Sequence, residues 1–261
     1  MRYDSMHAPI ALQLYSVRDR LSADFEGTIR TIASYGYRAV ETAGVYGESP
    51  ARAAVLFKEL GIQVVSLHAA VDPDDASKLA QVVESAAAFG AKTIVHPWYP
   101  AEHFTTLDGV ERICEQLNRS HAQLAAAGLT LAYHNHHFEC LSLPDGRLPL
   151  LHMKERLDPA ILFEVDTYWV QTAGVNVIAL LDALGDRTAL LHIKDGSTEL
   201  DQPMVAVGDG VMNFPAILAG RQVSALIVEL DRCATDMLAA VEKSYRYVSQ
   251  LVGRLGMGDG A

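Results

Sequence analysis

The chain has 261 residues and carries 21 Lys and Arg against 32 Asp and Glu, a formal net charge of −11. Half of its residues are hydrophobic and a fifth are charged, a balance that excludes an intrinsically disordered chain, while the acidic excess argues against a polyanionic partner such as DNA. The three cysteines, Cys114, Cys140 and Cys233, are odd in number and never in CxxC spacing, which excludes a disulfide scaffold, disfavours thiolate zinc sites and fits a reducing compartment.

The first ten residues, MRYDSMHAPI, lack the apolar core and small-residue cleavage site of a signal peptide. No run reaches the ~18 apolar residues of a membrane span. The expectation is a cytoplasmic protein with neither nucleic acid nor membrane as partner.

In chain order, residues 9–16 (PIALQLYS) read as a first strand, followed by helical spacing over 25–35. Residues 37–41 (YRAVE) form a second strand, and a helix over 50–60 is closed by Gly61. After a third strand at 63–68 (QVVSLH), a helix over 75–89 ends at Gly90, which suits a left-handed cap. A fourth strand, 92–96 (KTIVH), precedes a long helix over 107–127 that ends at Gly128, and a fifth strand runs over 129–135 (LTLAYHN). A short helix at 148–156 leads to the sixth strand, 161–166 (ILFEVD); a helix at 177–184 leads to the seventh, 189–194 (ALLHIK). Residues 208–214 (GDGVMNF) read as a mobile loop with Asn213 placed to cap a short helix over 214–219. The eighth strand is 224–229 (SALIVE), the closing helix is 237–251, and residues 254–261, ending GMGDGA, are expected to be disordered.

Eight apolar strands alternating with helices require a parallel sheet covered on both faces, and eight such units in ~250 residues are the number that closes a (β/α)8 TIM barrel as a single domain. The competing doubly wound sheet would carry a glycine-rich phosphate turn after its first strand; here that turn reads SVRDRLSAD.

The strands end in polar residues: Gln13 and Tyr15, Glu41, His68, His96, His134 to His136, Glu164 and Asp166, His192 and Lys194, Glu229 and Asp231. In a barrel these ends share one mouth. His134 or His136, with Asp166, His192 and Glu229, offers the mixed imidazole and carboxylate donors that a divalent ion takes, and manganese, cobalt, magnesium and zinc all fit. Alternation places His134 and His136 on one face, so that one can ligate while the other meets substrate. Asp166 has a second reading as a helix cap. Lys194 suits a phosphate, a carboxylate or a developing enolate, or an exposed salt bridge. Trp98, Tyr99 and Trp169 offer aromatic faces to a sugar ring or form a plain apolar rim.

ALQLYSVRD, GYRAVE, YHNHHFE, FEVDTYWV, LLHIKDG, VGDGVMNF and IVELD, between Ala11 and about Val252, resemble the sugar phosphate isomerase/epimerase family of the xylose isomerase-like barrel superfamily, which also contains endonuclease IV. The resemblance implies a (β/α)8 barrel, one divalent metal, and keto-sugar or polyol chemistry. It places metal ligands at Asp166, His192 and Glu229, with His134 where ketose 3-epimerases commonly carry a glutamate, and a sugar-contacting glutamate at Glu139. The histidine departs from a symmetrical two-glutamate mechanism and agrees with branches that resemble inosose dehydratases and 3-keto-glycoside lyases.

The expected function is therefore a metal-dependent sugar isomerase or epimerase. It abstracts a proton α to a carbonyl through a metal-stabilised enediolate, with His136, Glu229 and Lys194 as catalytic groups and Gln13, Glu41, His68, His96, Trp98, Glu139 and Trp169 facing a small sugar or polyol. Dehydration or lysis on the same barrel is the runner-up, and a non-catalytic sugar-binding barrel the third reading. A homo-oligomer is allowed.

Overall fold

Eight strands pair in sequence order and close on themselves. The computed structural model describes residues 8–256, in which the strands are β1 (Ile10–Gln13), β2 (Ala39–Thr42), β3 (Gln63–His68), β4 (Thr93–His96), β5 (Thr130–His134), β6 (Leu162–Asp166), β7 (Thr188–Ile193) and β8 (Ala225–Val228). All neighbours are parallel, and β8 returns to β1 through the pair Leu12↔Val228. The chain is a single (β/α)8 barrel, as the alternation predicts. Among the described residues no helix is long and apolar enough to cross a membrane.

Strand alternation sorts the side chains into layers. One face of each strand packs outward on the helices, in a cluster that includes Leu12, Val40, Leu131, Phe163, Leu191 and Val228. The other face fills the barrel, where Ala11, Ala39, Ala132, Leu190, Ala225 and Ile227 form an apolar floor. Two residues further along the same faces stand Gln13, Glu41, His134, His192 and Glu229, all buried. The register sets Gln13 beside Glu41, His134 beside Glu164, and Asp166 beside His192. Small alanines below leave room for polar side chains above.

The structure differs from the sequence expectations mainly just past strand ends. The first strand stops at Gln13 because its side-chain oxygen accepts from Tyr15 N at 3.1 Å, turning the chain into a 3-10 turn, Leu14–Val17, and a helix, Arg18–Ala23. Another short helix, Thr167–Thr172, starts where Asp166 Oδ1 accepts from Trp169 N at 2.9 Å, as its reading as a cap expects. The last helix runs Met237–Arg254, so Arg254 is helical rather than part of a frayed tail, and residues 257–261 lie outside the described residues.

The stretch read as a mobile loop is tied down by Asp195. Its buried carboxylate accepts from the amides of Gly196 (2.9 Å), Gly208 (2.9 Å) and Met212 (3.1 Å). Gly210 makes this possible, since a Cβ there would meet Asp195 Oδ1 at 2.1 Å. Asn213 Oδ1 accepts from Ala216 N at 3.3 Å and caps the helix Phe214–Leu218.

Candidate active site and metal centre

The polar strand ends meet at the C-terminal mouth in two tiers. In the upper tier, His134, Asp166, His192 and Glu229 each bring one donor atom within 4.8 Å of the others, and all four are buried. His134 and Asp166 close β5 and β6, His192 lies in β7, and Glu229 follows β8. His192 Nδ1 is 2.8 Å from Glu229 Oε2, and His134 Nε2 is 3.9 Å from Asp166 Oδ2.

The two readings of Asp166 hold together. Oδ1 caps the helix Thr167–Thr172, while Oδ2 is buried in the mouth without a hydrogen bond. Lys194 Nζ is 3.0 Å from that oxygen but badly aligned for donation; it also lies 2.6 Å from Glu229 Oε2 and 2.9 Å from Asp231 Oδ2. Two imidazoles and two carboxylates, one with a buried oxygen that accepts no hydrogen bond, fit a divalent ion with mixed nitrogen and oxygen ligands. Lys194 is therefore not a surface lysine. It is buried among three carboxylates, 5.4 Å above the Trp169 ring.

The lower tier is built on Glu41 and Glu164. Glu41 Oε2 accepts from Gln13 Nε2 at 2.7 Å, and its Oε1 from Ser66 Oγ at 2.5 Å. The Glu41 carboxylate also lies 3.0 Å from His68 Nε2 and 2.8 Å from His192 Nε2. Glu164 Oε2 reaches His68 Nε2, His134 Nδ1 and His192 Nε2, while Oε1 is buried without a partner. Gln13, Glu41 and His68 thus support the histidines, and the first two are fully buried.

Electrostatics follow from this packing. Burial raises the Lys194 environment's preference for a neutral amine, but the charges of Asp166, Asp231 and Glu229 overcome it and hold the ammonium well above the ordinary lysine value. Burial pushes Asp166 up to about 6 even with Lys194 and His192 nearby. For Glu229, burial is outweighed by Lys194 and His192, which keep the carboxylate ionised. His68 is raised to about 10 because Glu41 and Glu164 outweigh its burial. His192 is likewise raised, by Glu164 and Glu229 against burial, whereas burial and the neighbouring His192 hold His134 well below the ordinary histidine value.

The remaining predicted residues fall into three groups. His136 sits beside the upper tier, 5.1 Å from His134 between ring centroids, stacked on Phe138 and near Trp169. Its Nδ1 is buried without a partner, and burial with the Lys194 charge lowers it to about 3, so the ring is neutral. Trp169 is half-buried with Nε1 unbonded, and Trp98 stands 50% exposed on the rim.

Two others bond their polar atoms to groups of the protein itself. His96 uses both ring nitrogens internally, accepting from Val71 N at 3.2 Å and donating to Trp98 O at 3.1 Å. Glu139, expected at sugar hydroxyls, is fully buried and accepts instead from Tyr133 Oη at 2.6 Å and His136 N at 2.9 Å. That pair shapes the turn after β5, and burial raises Glu139 to about 8.

Glu164 and Asp231, which the sequence marks only as strand ends, both touch the central groups. The signal for Glu164 is its spacing: two residues before Asp166, it must share that residue's face.

The chain belongs to the xylose isomerase-like TIM barrel family, whose sequence profile matches residues 29–220. No curated protein matches it by sequence. Among solved structures, a sugar phosphate isomerase/epimerase from Parabacteroides distasonis ATCC 8503 is similar at 23% identity and a TM-score of 0.75, covering 93% of this chain and 94% of that one. The probable 3-DHS dehydratase AsbF from Bacillus anthracis is 14% identical, with a TM-score of 0.73 over 92% of this chain and 98% of that one. The IolI protein with a bound zinc atom is 14% identical, with a TM-score of 0.70 over 96% and 99%. At these identities the likeness is one of fold.

Proposed function

We propose that the protein is a divalent-metal-dependent enzyme that moves a proton α to a carbonyl in a small keto-sugar or polyol, as an isomerase or epimerase. The observation that carries this reading is the buried set His134, Asp166, His192 and Glu229 at the mouth of a barrel of this family, with Asp166 Oδ2 lacking a hydrogen bond. A divalent ion held by these four residues would supply Lewis-acid polarisation of a carbonyl and its adjacent hydroxyl.

The chain's own groups do the rest. Lys194, within 3.0 Å of Asp166, Glu229 and Asp231 and held protonated by them in the metal-free protein, is a donor to an oxygen on which negative charge develops. His136 is the neutral acceptor at the mouth, with Nδ1 free. Glu229 is an ionised acceptor already oriented by Lys194 and His192. The Trp169 face beside His136 packs against the C–H face of a sugar ring.

The two acceptors, an imidazole and a carboxylate, are chemically unlike. This favours, as a second reading, loss of a β-hydroxyl, in which one acceptor takes the α-proton and Lys194, the protonated group beside them, delivers a proton to the leaving hydroxyl so that it departs as water.

The test incubates metal-loaded protein in D₂O with ketoses, keto-sugars and keto-inositols and follows the α-carbon by NMR. Deuterium at that carbon is expected, with product structure separating isomerase, epimerase and dehydratase. Asp166→Ala and His192→Ala should each lose bound metal with the fold intact. Metal retained by both variants, or metal-dependent turnover of a substrate with no route to a carbonyl, would overturn the reading.

A further inference from the structure

Glu164 lies two residues before Asp166 on β6 and one layer deeper in the barrel. Its Oε2 stands 2.6 Å from His68 Nε2, 3.0 Å from His134 Nδ1 and 3.0 Å from His192 Nε2. The opposite nitrogens of the last two rings face upward, His134 Nε2 toward Asp166 and His192 Nδ1 toward Glu229. Each imidazole spans the two tiers, with one nitrogen on carboxylates below and the other in the four-donor set above.

By proximity alone, His68, His134, Glu164 and His192 could also hold an ion. The spacings favour hydrogen bonding there, since three short contacts converge on one oxygen, whereas the upper set has one short contact, His192 Nδ1 to Glu229 Oε2 at 2.8 Å, beside the 3.9 Å pair His134 Nε2 to Asp166 Oδ2. Nitrogen and oxygen ligands on a tetrahedral zinc, each at ~2.0–2.1 Å, stand about 3.3 Å from one another. Here the Glu164 to His68 contact is 2.6 Å and the other two are 3.0 Å, which are hydrogen-bond lengths converging on a single oxygen. An imidazole that donates to a carboxylate through one nitrogen presents the lone pair of the other, and such a partner fixes the ring and strengthens it as a ligand.

The geometry points to Glu164 as the positioning residue of the metal centre: one carboxylate fixes two ligand histidines at once from below, so that His134 offers Nε2 as its free nitrogen and His192 offers Nδ1 once an ion displaces the proton that this nitrogen donates to Glu229 Oε2 at 2.8 Å. An ion in the mouth would then be held through His134 Nε2 and His192 Nδ1. The assignment rests on the metal-dependent reading proposed above. Glu41 reinforces it at His192, and its own carboxylate is held by Gln13 and Ser66. His68, bridging Glu41 and Glu164, keeps the two carboxylates from repelling each other.

The test uses the full chain, ¹⁵N-labelled at histidine and loaded with zinc, in which metal-bound and protonated ring nitrogens resonate apart. Ligation of His134 through Nε2 and of His192 through Nδ1 is expected, with one zinc per chain. Glu164→Gln should fold by circular dichroism but bind zinc about 10–100-fold more weakly, and its cobalt form should show an altered visible spectrum. Should that variant fail to fold, the ring assignments in the unsubstituted protein still decide. Ligation through the inner nitrogens, a second zinc that Glu164→Gln removes, or an affinity within about twofold of the original would each overturn the assignment while leaving a metal enzyme standing. A chain that takes up no zinc, cobalt or manganese would instead overturn the metal-dependent reading and this assignment with it.

Discussion

Replacing Lys194 by Met keeps the side chain's length to within one atom and removes its charge. In the metal-free protein this leaves Asp166, Glu229 and Asp231 facing one another where the ammonium now stands 3.0, 2.6 and 2.9 Å from their oxygens. At an effective dielectric of ~20 each contact near 3 Å amounts to roughly 5 kcal/mol of attraction, and much of that is offset by the several kcal/mol of taking the ions out of water. The net loss on removing one partner of a buried ion cluster is about 3–5 kcal/mol, a large part of the ~5–15 kcal/mol that holds a domain together.

The sign with pH follows from the direction of each shift. Lys194 is held above its ordinary value, so its contribution is in place throughout neutral pH and is lost only above it. In Lys194→Met the three carboxylates lose their counter-charge and their folded pKa values climb. The penalty therefore grows as pH rises above the ordinary carboxylate value of ~4. Urea unfolding of chelator-treated protein should show a small difference from the unsubstituted chain near pH 4–5 and the full loss near pH 8. Added manganese should recover part of it by supplying positive charge to the same carboxylates. A difference below about 1 kcal/mol at pH 8, or one larger at pH 5 than at pH 8, would refute the account of Lys194 as a buried counter-cation.

Other outcomes are equally specific. His134→Ala should lose bound metal while His136→Ala keeps it and loses turnover, measured by metal content and by solvent exchange; the reverse pattern would show that the fifth strand supplies its ligand through His136. Glu139 is raised to about 8 by burial, so its native form prefers the proton and stability should fall as pH rises from ~4.3 toward 8. Glu139→Gln should flatten that slope in urea titrations at several pH values. Asp195→Ala leaves the amides of Gly196, Gly208 and Met212 without their acceptor, at roughly 1 kcal/mol or more each. Faster hydrogen exchange confined to residues 196–212, with about 3 kcal/mol of lost stability, is expected.

The barrel was legible in the sequence because its cause is local. Eight apolar runs separated by helical spacing and ended by glycines such as Gly61, Gly90 and Gly128 dictate the repeat, and eight parallel units close into a barrel. The chemistry of the strand ends was legible for the same reason: a polar residue at the end of an apolar strand stands at the mouth, although both His96 ring nitrogens bond backbone groups. The cap at Asp166 was legible as one of two readings, but the turn at Gln13 was not, since it starts through a single side-chain bond that carries no periodicity.

What only the tertiary structure decided is which atoms meet. His192 bonds Glu41 across 151 residues of chain, and Lys194 collects carboxylates from β6 and from the residues just beyond β8. Glu139 turns inward because Tyr133 and the His136 amide take both of its oxygens. Alternation along a strand fixes which side chains face the barrel's interior, but the register between strands and the closure of the sheet set their height and neighbours. Those distances decide which ring nitrogen, and which oxygen, is left free in the mouth.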